Sequence, residues 1–276
     1  MLTRSRALLL STHPGPSVAV TLVTVGLAIG LQLVWWRVLL LALAFLFNQF
    51  SVGLSNDWID ADRDRAVGRT DKPVALGLVS AGLVRTAAVA CAALSLLLTL
   101  PLGWAATGAH FVFIASAWAY NAILKNTWFS VVPYIVSFGL LPMVVTLALP
   151  APALAAPWAL GLGAMLGVAA HFANVLPDLD DDASTGIAGL PHRIGRRASG
   201  IVIWVVLAAA GLLAFFGQPG DKTVVQWIGV VLTLALAAAI AVVLRRPPTR
   251  LLFQLIIAAA LVNVVVLAFA GQRLLA

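Results

Sequence analysis

Long uncharged runs alternate with short charged ones along the chain. A helix that crosses a bilayer needs about 20 mostly apolar residues and must pair its backbone groups internally. Residues 17–36 and 38–55 supply two such windows, separated by Arg37. Residues 86–124 form an uncharged run of 39, in which "LPLGW" at 100–104 reads as a turn. Residues 126–177 form another of 52, divided by "PAPALAAP" at 150–157. Three further windows follow at 198–220, 223–244 and 251–272. The pattern predicts an all-α integral membrane protein with nine transmembrane helices. Ahead of the first window, Arg4 and Arg6 precede "ALLLST". That apolar stretch is too short for a signal-peptide core, and "HPGPS" follows it in place of a small-residue cleavage site, so it reads as a cytosolic lead-in.

Composition agrees with a membrane protein. Of 276 residues, 62% are hydrophobic and 10% charged, with no glutamate, against the ~25% charged residues of a soluble domain. Mean hydropathy is +1.04. Short cytoplasmic loops carry the excess of Lys and Arg. With nine spans, 14 of the 17 basic residues fall on the N-terminal side, and only Arg37, Lys222 and Arg273 lie opposite. The expected orientation places the N-terminus in the cytoplasm and the C-terminus outside, in the cell's inner (plasma) membrane. The net charge of +7 is then mainly an orientation signal in short loops, and a nucleic-acid partner is not expected. Cys91 is the single cysteine, which excludes an intrachain disulfide and a cysteine metal site.

Ten aspartates are the whole acidic inventory, and nine occupy two segments. Asp57, Asp60, Asp62, Asp64 and Asp71 form one; Asp178, Asp180, Asp181 and Asp182 form the other. Both follow even-numbered spans and so open on the cytoplasmic face. With Asn56 at zero on a helix, Asp60 falls near ~40°, Asp64 near ~80° and Asp57 near ~100°, while Asp62 points to about 240°. Asn56, Asp57, Asp60 and Asp64 thus share one stripe. Asn174, Asp178 and Asp182 repeat the i, i+4, i+8 spacing, with Asp181 beside that stripe, Asp180 opposite it, and Pro177 weakening the helix. The segments at 56–77 and 174–197 resemble one unit used twice, each followed by basic residues.

Grouped carboxylates repel one another and resist desolvation unless a cation holds them. Mg²⁺ takes oxygen ligands, commonly one or two carboxylates plus substrate phosphates and waters. Two facing stripes could hold Mg²⁺ against a diphosphate, with Lys and Arg on the remaining phosphate oxygens. Apolar helices beside them would shelter an isoprenoid tail and its carbocation from water. The expected activity is an enzyme's, on a lipid diphosphate at the cytoplasmic leaflet. The alternatives are a solvated loop between spans, a cation-coupled transporter, and a catalytically dead scaffold. A transporter would place ionisable groups near the bilayer midplane, whereas these acids sit at span ends among basic residues. An inactive scaffold is disfavoured because both stripes keep their acids.

"NDWIDADRD" at 56–64 resembles the NDxxDxxxD motif of the UbiA superfamily of intramembrane prenyltransferases, and "DLDDD" at 178–182 its second DxxxD motif. "GRTDKPVALG" resembles the family's RTxxRPLxxG segment, with Lys72 where Arg is usual. "DDDASTGIAGLPHRIG" resembles the stretch after the second motif. "YNAILK", Tyr120 to Lys125, resembles a Tyr/Lys element, one residue longer than the commonest YxxxK. The resemblance covers essentially the whole chain. It implies a single domain over 1–276: a nine-helix bundle around a central cavity, capped by cytoplasmic loops that carry both motifs. It implies Mg²⁺-dependent transfer of a polyprenyl group from its diphosphate to a lipophilic acceptor, most simply an aromatic quinone precursor. Another acceptor leaves two readings open: polyprenyl phosphate with a sugar diphosphate, or cyclisation.

Carried over by residue, Asp60, Asp64, Asp178 and Asp182 would be catalytic. Asn56, Asp57, Asp60, Asp64, Asp178 and Asp182 would hold metal. Asn56, Arg69, Lys72, Lys125 and Arg193 would contact the diphosphate. Tyr120, His171, Asn174 and Asp181 would line the cavity mouth. His110 lies inside a predicted span, where an ionisable group is functional or satisfied by a neighbouring helix; the second is expected. Trp35 and Trp36 beside Arg37 read as an interfacial anchor.

Overall fold

A computed structural model describes residues 4–176, 179, 188–243 and 250–276. Nearly every element is a helix. In chain order these are α1 (Arg4–Leu10), α2 (Pro14–Gly30), α3 (Trp35–Ile59), α4 (Ala61–Ala66), α5 (Ala81–Thr99), α6 (Trp104–Ala122), α7 (Val132–Leu147), α8 (Pro157–Val175), α9 (Leu190–Phe216), α10 (Val224–Val243) and α11 (Arg250–Ala268). Five of these are long and apolar enough to cross a membrane: α3, α5 with its following turn, α8, α9 and α10. The pair α1 and α2, bent by 57°, passes the same test together.

The breaks between helices follow the residues that cannot continue one. Pro101 enters a 3₁₀ turn at Leu100–Leu102, and Gly103 at φ 121° opens α6, as "LPLGW" predicts. Pro157 starts α8 at the end of "PAPALAAP", where its missing N–H costs nothing. The first break departs from the windows. It falls at Leu31–Val34 and not at Arg37, because Gln32 takes the left-handed conformation, φ 58°. Trp35 and Trp36 therefore begin α3. Arg37 stays helical, donates to the Ala148 carbonyl at 2.6 Å and lies 4.7 Å from the Trp36 ring centroid. A charge at the membrane rim need not mark a turn. Within α9, Gly195 at φ 80° interrupts the helical track.

Successive long helices pack side by side, and α11 returns to α2 to close a ring. Small residues set two of these seams. A Cβ on Gly30 would lie 2.2 Å from the Ala268 carbonyl oxygen. Across α7 and α8, a Cβ on Gly163 would lie 2.3 Å from the Phe138 oxygen, and one on Gly167 2.4 Å from the Tyr134 oxygen. Such close backbone approach is how helices gain contact in lipid, where there is no hydrophobic drive between them. Phe45, Phe113 and Phe172 fill the interior.

One polar node crosses that interior, and it accounts for His110. The Thr99 hydroxyl donates to the Ser95 carbonyl at 2.9 Å, which leaves its oxygen to accept His110 Nδ1–H at 2.8 Å. Nε2 then accepts from the Asn48 amide at 2.9 Å. The imidazole also stacks on Phe45 with centroids 4.6 Å apart. His110 thus joins α3, α5 and α6 through hydrogen bonds. Arg37 and Arg273 share one end of the bundle: Arg37 reaches Ala148 at the end of α7, and Arg273 donates to Gln226 beside Leu274, whose carbonyl accepts from Ala156 in the same α7–α8 connection.

His110→Leu should lower thermal stability in micelles by about 1–3 kcal/mol, since it strands the buried Asn48 amide N–H and removes the donor to Thr99 Oγ1. Gly163→Ala should do so as well, because its clash is with backbone. Circular dichroism melts of the purified variants test both.

Candidate active site

The first acidic segment straddles the end of α3 and the short α4. Helical bonding continues through the join: Asp60 N–H donates to the Asn56 carbonyl at 3.0 Å, and Asp64 N–H to the Asp60 carbonyl at 2.8 Å. The stripe therefore persists although Asp60 leaves the helical track at ψ −2°. Asp57, Asp60 and Asp64 are 2%, 5% and 4% exposed. Asp62 faces away, its side chain 98% exposed and paired with Arg65 at 2.7 Å.

The buried acids divide into two groups joined by Asn56. In one, Lys72 Nζ donates to Asp57 Oδ1 at 2.6 Å, and His13 Nε2 lies 2.9 Å from the same oxygen. In the other, Lys125 Nζ donates to Asp60 Oδ1. Arg63 bridges Asp60 Oδ2 at 3.0 Å and Asp64 Oδ1 at 3.2 Å. Asn56 accepts from Lys72 at 3.2 Å and donates to Asp60 at 3.2 Å. Three carboxylates thus meet three basic side chains in a partly dry setting, where such hydrogen bonds are strong. Burial pulls the Lys125 ammonium below the usual lysine range, against the opposing pull of Asp60.

Local structure explains how distant cations arrive. The connection between α4 and α5 carries Lys72 and then buries Val74 and Val79 among Ala7, Leu54, Ala61, Val84 and Ala88. Gly68 and Gly77, both at φ 70°, supply its turns. Lys125 sits in a 3₁₀ turn at Leu124–Asn126. Asn121, one turn earlier, donates to the Val52 carbonyl at 2.9 Å and to Ser55 at 2.8 Å, pinning α6 to α3.

A second polar group surrounds His171, which is 1% exposed. Its Nε2 lies 3.1 Å from Ser130 Oγ, which also accepts Leu190 N–H at 2.8 Å. The Tyr134 and Tyr120 rings flank it, with centroids at 4.8 Å and 5.7 Å, and the two hydroxyls hydrogen-bond. Asn174 points outward. Arg193 is exposed, donates to the Ala188 carbonyl at 2.6 Å and lies 5.0 Å over Trp128. Arg69 forks onto Asp71 at 2.8 and 2.7 Å. That fork holds the Asp71 carboxyl below its usual range, with partial burial opposing. Asp178, Asp180, Asp181 and Asp182 lie outside the described residues.

His13, Arg63 and Ser130 are site neighbours absent from the sequence reading. Arg63 was legible in principle, three residues after Asp60. His13 reaches Asp57 across 44 positions, and no spacing rule covers that distance. Among the described residues no three His, Cys, Asp or Glu side chains gather as a metal-holding set. The chemistry of the donors nevertheless suits a hard divalent cation. The Asn56, Asp60 and Asp64 oxygens lie within one hydrogen-bonded group, and Asp57 Oδ2 is buried without a partner.

These features define an all-helical, multi-pass membrane protein with a buried acid–base cluster at one end of its bundle. The family model for the UbiA prenyltransferase family matches residues 17–255. The chain belongs to that family and is by class a prenyltransferase. Solved structures agree in fold. A UbiA homologue from Archaeoglobus fulgidus bound to GPP and Mg²⁺ superposes with TM-score 0.72 at 15% identity, covering 96% of this chain and 98% of the other. A digeranylgeranylglyceryl phosphate synthase gives 0.68 at 15% identity, covering 98% and 99%. An apo UbiA homologue from Aeropyrum pernix K1 gives 0.69 at 18%, covering 90% and 96%. A search of curated protein sequences finds no match.

Lys72→Met takes the ammonium from a buried carboxylate, leaves His13 as its donor, and should cost about 1–3 kcal/mol of stability. Asp57→Asn should cost less, and the double variant should reveal a coupling of about 0.5–3 kcal/mol. Denaturant titration of the four proteins closes that cycle.

Proposed function

We propose that this protein transfers a polyprenyl group from its diphosphate to a lipophilic, aromatic acceptor of the quinone-precursor kind, with Mg²⁺ as cofactor. The carrying observation is that the buried Asp60–Asp64 group and the Asp57–Lys72 pair meet through Asn56 at one end of an apolar bundle. Structural relatives bound to GPP or DMAPP with Mg²⁺ support the same ligand class here. In this reading the bundle has nine spans around a central cavity, with both acidic motifs in loops that cap it on the cytoplasmic face. The N-terminus is cytoplasmic and the C-terminus outside.

Asn56, Asp57, Asp60 and Asp64 would hold metal on one side, and Asp178 and Asp182 on the other. Bound there, Mg²⁺ would neutralise the departing diphosphate and so favour ionisation of the allylic carbon. Lys72 and Lys125, each paired with a carboxylate, would turn their ammonium groups onto phosphate oxygens. Lys125 suits that role, because a buried ammonium gains from a second anion. Arg69 and Arg193 would add contacts from the surface. An apolar lining would exclude water from the cation; Tyr120, His171 and Asn174, with Asp181 of the second motif, would be the candidates for the mouth through which the acceptor attacks.

The test is diphosphate release by purified protein given prenyl diphosphates of several lengths, with and without a phenolic acceptor. Release that requires Mg²⁺ and acceptor is expected, and EDTA should abolish it. Asp60→Asn and Asp178→Asn should each lower turnover by about 10²-fold or more while the fold, read by circular dichroism, stays intact. Normal activity in either variant would overturn the metal-site assignment. Release without acceptor would indicate cyclisation or hydrolysis, and no release with any prenyl diphosphate would overturn the reading.

A further inference from the structure

We propose that His13 is a positioning residue of this site, which secures Asp57 while Lys72 leaves that carboxylate for the substrate's phosphate oxygens. The inference rests on the diphosphate reading above.

The turn between α1 and α2 is built to deliver this imidazole. His13 adopts the left-handed conformation, φ 51° and ψ 66°, which non-glycine residues seldom take. Ser17 fixes it from the far side, its hydroxyl donating to the Thr12 carbonyl at 2.8 Å and its N–H to the His13 carbonyl at 3.2 Å. On the near side the turn lies directly on α3. A Cβ at Gly53 would stand 2.6 Å from the Thr12 oxygen and 3.0 Å from His13 Cδ2. Gly53 is four residues before Asp57, on the same face of the helix. The missing side chain at Gly53 therefore sets the imidazole over the carboxylate.

The hydrogen bonds around Asp57 are lopsided. Lys72 Nζ at 2.6 Å and His13 Nε2 at 2.9 Å both converge on Oδ1, which brings the two nitrogens within 3.2 Å of each other. Oδ2, equally buried, has no partner. If each donor had only a structural task, one on each oxygen would satisfy the group better. Two donors on one oxygen make sense if one of them departs. Lys72 is the mobile member, a point charge on a flexible four-carbon stem, and it already contacts Asn56 at 3.2 Å on the side of Asp60. Once its ammonium turns to a phosphate, the buried Asp57 Oδ1 loses its strongest donor, and a buried carboxylate oxygen left with no protein donor is costly. Among the described residues His13 is the donor that remains. Its ring lies 37% exposed on a pinned turn, so it can hold the carboxylate in place while the substrate arrives.

The effect of losing His13 should therefore appear in prenyl diphosphate binding and not in folding. His13→Leu removes the donor. His13→Gly removes it too while suiting the left-handed backbone, and His13→Gln restores an N–H donor of similar reach. Calorimetric titration with geranyl diphosphate and Mg²⁺ should show Kd raised about tenfold in the Leu and Gly variants, and most of that loss recovered by Gln. KM should follow Kd, kcat should change less, and the melting temperature of the Gly variant should stay at or above wild type. A Gly variant that binds like wild type, or a Gln variant no better than Leu, would overturn this role. Wild-type protein that binds no prenyl diphosphate would overturn the diphosphate reading and the role together. Equal binding by wild type and all three variants would remove only the role of His13.

Discussion

Three carboxylates buried at the end of a hydrocarbon-facing bundle are the constraint around which this protein is arranged. A lone charge there would be neutralised or drive local unfolding, since its desolvation is uncompensated. Each of Asp57, Asp60 and Asp64 is held instead by a cation from elsewhere in the chain or the next turn of helix. That requirement reaches far. It fixes where the α4–α5 connection folds back to deliver Lys72, where α6 ends to deliver Lys125, and why Asn121 ties α6 to α3.

On the function proposed above, the protein without ligand would be a partly occupied version of its working form. Lysine and arginine side chains pair the acids where a substrate complex would bring metal and phosphate. Ligand binding would then be an exchange of partners rather than the first neutralisation of the site. The cost of each exchange depends on what stays behind to hold the carboxylate.

Much of the fold was legible because apolar run length and proline or glycine breaks follow directly from what a helix in lipid requires. "LPLGW" and "PAPALAAP" divide the helices where expected. The first break was misplaced because Arg37 looked like a boundary, while the actual turn depends on the backbone conformation of Gln32, which no charge pattern reveals. In the site, helical spacing correctly set Asn56, Asp57, Asp60 and Asp64 apart from Asp62. What spacing could not give was pairing. That Lys125 meets Asp60, that Arg69 spends its fork on Asp71, and that His13 meets Asp57 are consequences of packing between elements far apart in the chain.

The glycine seams carry a consequence for traffic through the wall of the bundle. Where Gly163 and Gly167 meet the Phe138 and Tyr134 carbonyls, and where Gly30 meets Ala268, backbone lies on backbone with no side chain between. A change of rotamer cannot open such a joint; only separation of whole helices can. These two seams are mortared, and a hydrocarbon tail entering from the lipid, as the proposed function would require, would need a doorway along a seam closed by side chains.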